Sequence, residues 1–310
     1  MILKRGKMFR LQRTLKNKIE FEGIGLHSGR SVRMQLTPAP VETGVVFIRT
    51  DMNRARIEAI ASHTTATGCS TTLSKNGVTV QTVEHLLATL SGLSVDNVFV
   101  EIDAQEVPIM DGSAAHFVRR IADAGVKTQE RSRPMIKIIK PMFVREGDKQ
   151  LAIWPSEAPS ISYFIDFNHP LLKEQSLNYQ VSEENFLREV SDARTFGFLR
   201  DEAALKANGL ARGASLDNVV VLGEETVLNK EGLRYQDEFV RHKILDLVGD
   251  LSLLGMPIIG HVVAHKSGHN LNAQMVTKLL QNPQNWIVVG AVEAAMAARQ
   301  PEMQYQTAAM

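Results

Sequence analysis

The 310-residue chain is 44% hydrophobic and 22% charged, with a formal net charge of +1. That balance belongs to a globular protein of one large or two ordinary domains and argues against a broad nucleic-acid-binding surface. The single cysteine, Cys69, excludes an internal disulfide framework and a cysteine-based zinc knuckle, and fits a reducing compartment.

The basic start, Met1 to Met8, leads into no apolar run, and no stretch reaches the roughly 18 apolar residues of a bilayer span. The expectation is a soluble cytoplasmic protein without stable membrane insertion. Met8 serves as a translation start as well as Met1 does, which leaves the first seven residues outside the expected fold. Residues 10–50 read as β structure. Lys18 to Glu22 alternates, Gly23 to Gly29 is a turn-rich link carrying His27, and Ser31 to Leu36 alternates again before Pro38. The link is no phosphate loop, because no lysine followed by serine or threonine closes the glycine pattern.

Residues 62–75, rich in threonine and serine, read as a loop or short hairpin around Cys69. Thr82 stands where it would cap a helix running to Gly92, with Leu86, Leu87 and Leu90 facing inward. A strand follows over 97–102, then a turn at Met110 to Ser113 and a helix over 116–124. Gln129 to Pro134 is polar and ends in proline, the pattern of an interdomain linker. Beyond it, strands are expected at 135–139, 142–145, 151–154 and 160–166, with a hairpin turn at Glu146 to Asp148. A short helix over 183–190 precedes Arg194 to Phe198, and residues 200–230 read as an irregular insertion.

Arg234 to Asp250 has a helical period. Glu238, His242, Asp246 and Asp250 recur every four residues and share one face, while Val240, Ile244, Leu247, Val248, Leu251 and Leu254 cover the other. A histidine and an aspartate at this spacing can hold one cation. They can equally form a surface salt bridge of a few tenths of a kcal/mol, which is the commoner outcome. The helix, its following glycine and the strand after it echo His85-Leu-Leu, Leu90-Ser-Gly and the strand at 97–102. The echo points to an α+β protein of two similar halves. If those halves meet through their helices, His85 and His242 meet between them.

Most of the nine histidines need no special role: His63, His116, His169 and His261 have no partner at ligand spacing. His85 follows Glu84 on an otherwise apolar helix, although a charge compatible with the helix dipole explains that pair alone. His265 ends a β run, and Gly268 frees the chain to present His269 from a loop. Taken together, His85, His242 and Asp246 supply two nitrogens and a carboxylate, a set suited to zinc or ferrous iron with a fourth position left for water. Glu84 is then placed to take a proton from that water, His269 to protonate a leaving group, and Asp250 to hold His269 in its charged form.

Thr82-Val-Glu-His-Leu, Pro108-Ile-Met-Asp-Gly-Ser-Ala, Arg194-Thr-Phe-Gly-Phe, Asp237-Glu-Phe-Val-Arg-His-Lys-Ile-Leu-Asp and Lys266-Ser-Gly-His-Asn run in order between about residue 10 and about residue 275. In this the chain resembles the UDP-3-O-acyl-N-acetylglucosamine deacetylase family of lipid A biosynthesis. The resemblance implies a zinc enzyme of Gram-negative bacteria built from two α+β sandwich domains packed helix layer to helix layer. These domains would span 8–128 and 135–300, joined at 129–134, while residues 301–310 match no motif and read as a flexible tail. It implies one zinc on His85, His242 and Asp246, with Fe(2+) as a substitute, Glu84 as general base and His269 as general acid. Thr195, Lys243 and Asp250 would surround the developing oxyanion and the leaving amine. Phe167 would meet the uracil ring, Lys149 and Lys266 the diphosphate, and Phe196 the bound substrate. The insertion, about 198–230, would bring Leu205, Leu210 and Leu216 to an acyl chain, while composition alone makes these leucines and Val219 small core contacts of a loop. No role passes to Cys69 or Thr71, and a monomer acting on a small molecule is expected. Two other readings fit the same residues: a zinc peptidase, and a non-catalytic α+β module that binds nucleotide sugars.

Overall fold

Alternation in Ile19–Ile24 and Ser31–Pro38 buries Ile19, Phe21, Val32, Met34 and Leu36 on one face and turns Glu20, Glu22 and Arg33 to solvent. These two strands open a five-stranded sheet in the computed structural model, which describes residues 2–4 and 7–290. The sheet order is Ile19–Ile24, Ser31–Pro38, Val98–Ile102, Val45–Arg49, Ala55–Glu58. Its central strand, Val98–Ile102, is antiparallel to Ser31–Pro38 and parallel to Val45–Arg49.

A second five-stranded sheet repeats this plan in the order Met142–Glu146, Lys149–Trp154, His261–His265, Ser160–Ile165, Gln175–Gln180. Again the central strand, His261–His265, is antiparallel to one neighbour and parallel to the other. The expected internal repeat is thus present in the strand order as well as in the sequence.

The helices are α1 (Glu84–Gly92), α2 (Ala115–Ala124), α3 (Glu183–Asn185), α4 (Glu202–Ala207), α5 (Glu238–Ser252) and α6 (His269–Gln281). Apolar residues of α1 and α2, among them Leu86, Leu90, Phe117 and Ile121, close over the first sheet. Ile244, Leu247, Leu271, Met275 and Leu279 of α5 and α6 close over the second. Each sheet thereby becomes two layers, and the helix layers face one another through α1 and α5. Ala88 of α1 joins the second core and Leu253, after α5, joins the first. Gly249 permits this approach, since a Cβ there would overlap the Glu84 carbonyl.

Four local expectations are corrected. Thr82 does not cap α1: it lies in the left-handed region at φ 55°, and its hydroxyl donates to Glu106 Oε1 at 3.0 Å. Gln129 to Ser132 is strand rather than free chain, because Val126–Ser132 pairs with Leu11–Leu15 and Gln129 bonds Asn97 and the Ala39 carbonyl. The insertion is not an irregular loop throughout: it contains α4 and the strand Val220–Leu222, parallel to Phe196–Phe198. His269 is not in a loop; it is the first residue of α6 and is buried.

Elsewhere the threonine-rich segment is a hairpin, Thr64–Thr67 with Ser70–Lys75, and Cys69 is exposed at its turn. Strands Ile2–Lys4 and Lys7–Phe9 pair with each other. The expected end of the second domain at 300 and the tail at 301–310 lie outside the described residues.

Candidate metal centre and acid–base pair

The polar stripe of α5 is buried, with Glu238 0%, His242 2%, Asp246 4% and Asp250 2% exposed. That excludes a surface salt bridge, because burying four such groups requires partners for each. The first turns of α1 supply some of them. His85 Nε2 lies 3.5 Å from Asp246 Oδ1, His242 Nε2 lies 3.4 Å from the same oxygen, and the two imidazoles meet edge to face at 4.9 Å between centroids.

These separations fit a shared ion. Ligands about 2.0–2.1 Å from a tetrahedral zinc sit roughly 3.4 Å apart. The three ligand atoms lie within 4.8 Å of one another. His242 Nδ1 donates to the Ala193 carbonyl at 3.0 Å, leaving Nε2 as the free lone pair. Burial, opposed by Asp246, pushes the His242 pKa down to about 3, so the ring stays neutral at physiological pH. Asp246 stays ionised despite its burial because Lys243, with Nζ 2.7 Å from Oδ2, holds its pKa well below the usual range. The Lys243 ammonium is retained in turn: burial disfavours it, and Asp246 outweighs burial.

Glu84 begins α1, where a carboxylate suits the helix dipole. Its Oε2 accepts the Thr71 amide at 3.0 Å, and its Oε1 faces His269 Nε2 at 3.8 Å. Burial raises its pKa against the pull of His269 and His85. On the far side of the imidazole, His269 Nδ1 meets Asp250 Oδ2 at 2.8 Å. Burial opposes the imidazolium, but Asp250 and Glu84 together raise its pKa to about 9.

Thr195 joins the two halves: its amide donates to the Gly112 carbonyl and its own carbonyl accepts from Val220, both at 2.8 Å. Phe196 packs 6.3 Å from the His242 ring, and Phe167 packs 5.7 Å from Phe196. Lys266 pairs with Asp148 at 3.1 Å and with Asp166, the residue before Phe167, at 3.0 Å. Lys149 is exposed at the start of its strand. Leu205 and Leu210 are half-buried, Leu216 is exposed, and Val219 is buried with Leu26 and Ile109. The insertion reaches the first half, where Arg212 and Gly213 donate main-chain hydrogen bonds to His27 and Leu26.

Several residues at the site carried no assigned role in the sequence. Thr71 donates to Asp250 Oδ1 at 2.6 Å while its amide binds Glu84, so one residue touches both carboxylates. Asn272 donates to Asp250 Oδ2 at 2.8 Å. Glu106, fully buried, accepts from the His27 and Ser28 amides and from Thr82, tying the glycine-rich link to the approach of α1. His27 is itself buried, and its pKa is lowered chiefly by burial. None of these shows a signal in the sequence: even Glu106 stands in a mixed polar stretch, Asp103 to Val107, before Pro108.

Comparison with known proteins identifies the family. Residues 12–281 match the sequence profile of UDP-3-O-acyl N-acetylglycosamine deacetylase. A Syntrophus aciditrophicus protein named UDP-3-O-acyl-N-acetylglucosamine deacetylase is 48% identical over 276 residues, covering 89% of this chain and 88% of that one. A protein of the same name from Myxococcus xanthus is 50% identical over 281 residues, 90% of each chain. A third, from Geobacter, is 50% identical over 279 residues, 90% of this chain and 92% of that one. With the matched region enclosing both sheets and every residue of the metal centre, the chain belongs to the UDP-3-O-acyl N-acetylglycosamine deacetylase family.

Proposed function

We propose that this protein hydrolyses the acetamide of a UDP-3-O-acyl-N-acetylglucosamine, releasing acetate and the free glucosamine amine in the committed step of lipid A biosynthesis. The observation that carries the reading is a base and an acid facing each other beside a ligand triad: Glu84 Oε1 and His269 Nε2 are 3.8 Å apart. His85, His242 and Asp246 would hold one zinc ion, and the same donors suit ferrous iron. When bound, the ion supplies Lewis-acid polarisation of the amide carbonyl and of water.

The remaining steps belong to the side chains. Glu84 takes a proton from the attacking water, and burial, by raising its pKa, makes its carboxylate a stronger base than an exposed one. The Thr195 hydroxyl donates to the carbonyl oxygen as that atom gains negative charge, and the Lys243 ammonium adds positive potential beside it. As the C–N bond breaks, its electron pair passes to nitrogen and His269 delivers a proton there. Asp250 keeps His269 charged until that moment.

Phe167 and Phe196 would receive the uracil and sugar, Lys149 and Lys266 the diphosphate, and the insertion with Leu205, Leu210 and Leu216 the acyl chain. In this reading residues 8–128 and 135–300 are two domains, each supplying half of the site, and the enzyme acts as a cytoplasmic monomer. No helix among the described residues is long and apolar enough to cross a membrane. The reading is tested by acetate release from the sugar nucleotide, its loss on chelation and its recovery with added zinc. A metal-saturated preparation that releases no acetate contradicts it.

A further inference from the structure

Glu238 shares the polar face of α5 with the metal ligands yet takes no part in the chemistry proposed above. It is 0% exposed, and its partner Arg194 is 3% exposed. Glu238 Oε1 accepts from the Arg194 amide at 3.0 Å and from Arg194 Nε at 2.8 Å. Its Oε2 accepts from Arg194 Nη2 at 3.2 Å and from the Arg234 amide at 2.7 Å. The remaining Arg194 donors reach Glu231 at 2.8 Å and the Gly232 carbonyl at 2.7 Å.

Arg194 lies between two groups whose placement matters. The residue before it, Ala193, offers the carbonyl that binds His242 Nδ1, and the residue after it is Thr195. The clamp also closes a circuit to the first half. Arg234 Nη2 donates to Asp111 at 2.8 Å, and Gly112, next to Asp111, accepts the Thr195 amide. A buried ion pair is poor value as a source of stability, since well-packed apolar residues often do as well in its place. What it adds over them is direction.

We propose that the buried Arg194–Glu238 pair is a positioning device that fixes the His242 imidazole, through the Ala193 carbonyl, and the Thr195 hydroxyl, through its main chain, about the candidate metal centre. Neither residue touches the reacting atoms. The proposal rests on the functional reading above, in which His242 is a metal ligand and Thr195 faces the oxyanion. Groups that orient a ligand imidazole change metal affinity by about 10- to 100-fold when removed.

The test compares the wild type with Glu238→Gln and with the double variant Arg194→Met/Glu238→Leu, which replaces the pair by apolar side chains of similar bulk. Zinc affinity is measured by competition with a chromophoric chelator, kcat at saturating zinc, and the His242 tautomer of the metal-free protein by 15N NMR. Both variants are expected to bind zinc about 10- to 100-fold more weakly and to lose kcat at saturating metal. The Nδ1–H form of His242 should no longer dominate in either. The double variant strands the Arg194 and Arg234 amides and the Gly232 carbonyl and should melt below the wild type, so the His242 tautomer, which a purely structural role does not change, decides between the two roles.

Wild-type zinc affinity and an unchanged His242 tautomer in either variant overturn the proposal. His85→Ala serves as the control for the reading beneath it. If His85→Ala binds zinc like the wild type, the metal centre itself is wrong. If it loses zinc while the Glu238 variants keep theirs, only the positioning role fails.

Discussion

His269 Nδ1 lies 2.8 Å from Asp250 Oδ2, although the two residues come from different helices and both are buried. His269 opens α6, where the helix dipole disfavours a cation, and burial disfavours it further. Asp250, helped by Glu84, outweighs both and raises the His269 pKa to about 9, which favours the imidazolium.

Replacing Asp250 by Asn removes that support. The His269 pKa should fall below about 9, because Asp250 is the strongest opponent of burial and only Glu84 and Asp246 then remain to raise it. The basic limb of kcat/KM should move to lower pH in step, with turnover at alkaline pH falling most. A pH profile that keeps its basic limb would contradict the role of Asp250.

The same pair makes stability depend on pH. The folded pKa of His269 is raised above the unfolded value of about 6.5. Its contribution is therefore fully present below that value and lost as pH rises through about 9. Urea unfolding at pH 6 and pH 10 should show a smaller loss of stability in Asp250→Asn, where the pair is already gone, than in the wild type. Equal losses in both proteins would contradict the linkage.

Gly249→Ala tests how the helix layers meet. The added methyl group overlaps the Glu84 carbonyl, so α1 must move off α5 or the fold must strain. Overpacking of this kind costs about 1–3 kcal/mol. The variant should melt lower and bind metal more weakly, because His85 moves with α1. An unchanged melting temperature would show that the contact yields without cost.

Thr195→Ala removes a hydroxyl while leaving the main-chain bonds to Gly112 and Val220 in place. If the hydroxyl serves the oxyanion, kcat should fall by about 100-fold with metal content unchanged, and Thr195→Ser should recover much of it. A change confined to KM would assign Thr195 to ground-state binding instead.

The helical face that holds His242, Asp246 and Asp250 is legible from spacing alone, and so are most strands of the two sheets. Burial of that face is not legible, because periodicity does not say which element packs on it. Here α1 does, admitted by Gly249. Thr71 escaped notice because a β-hairpin delivers it, and nothing in a threonine-rich turn marks one threonine over its neighbours. Thr82 has the sequence position of a cap, and sequence position does not reveal that its hydroxyl donates to Glu106. The polar run at 129–132 resembles a linker, yet its side chains find partners across a two-stranded ribbon. Glu238 shows the same limit: its spacing placed it on the right face, and only the fold brought Arg194 to it.

The division between holding metal and moving protons is tested most directly by one paired measurement, zinc content and acetate release for His85→Ala and Glu84→Ala. The account predicts that His85→Ala loses the metal. It predicts that Glu84→Ala retains about one zinc per chain, with turnover lowered by about 100-fold or more. A Glu84→Ala protein that releases acetate at the wild-type rate would contradict it.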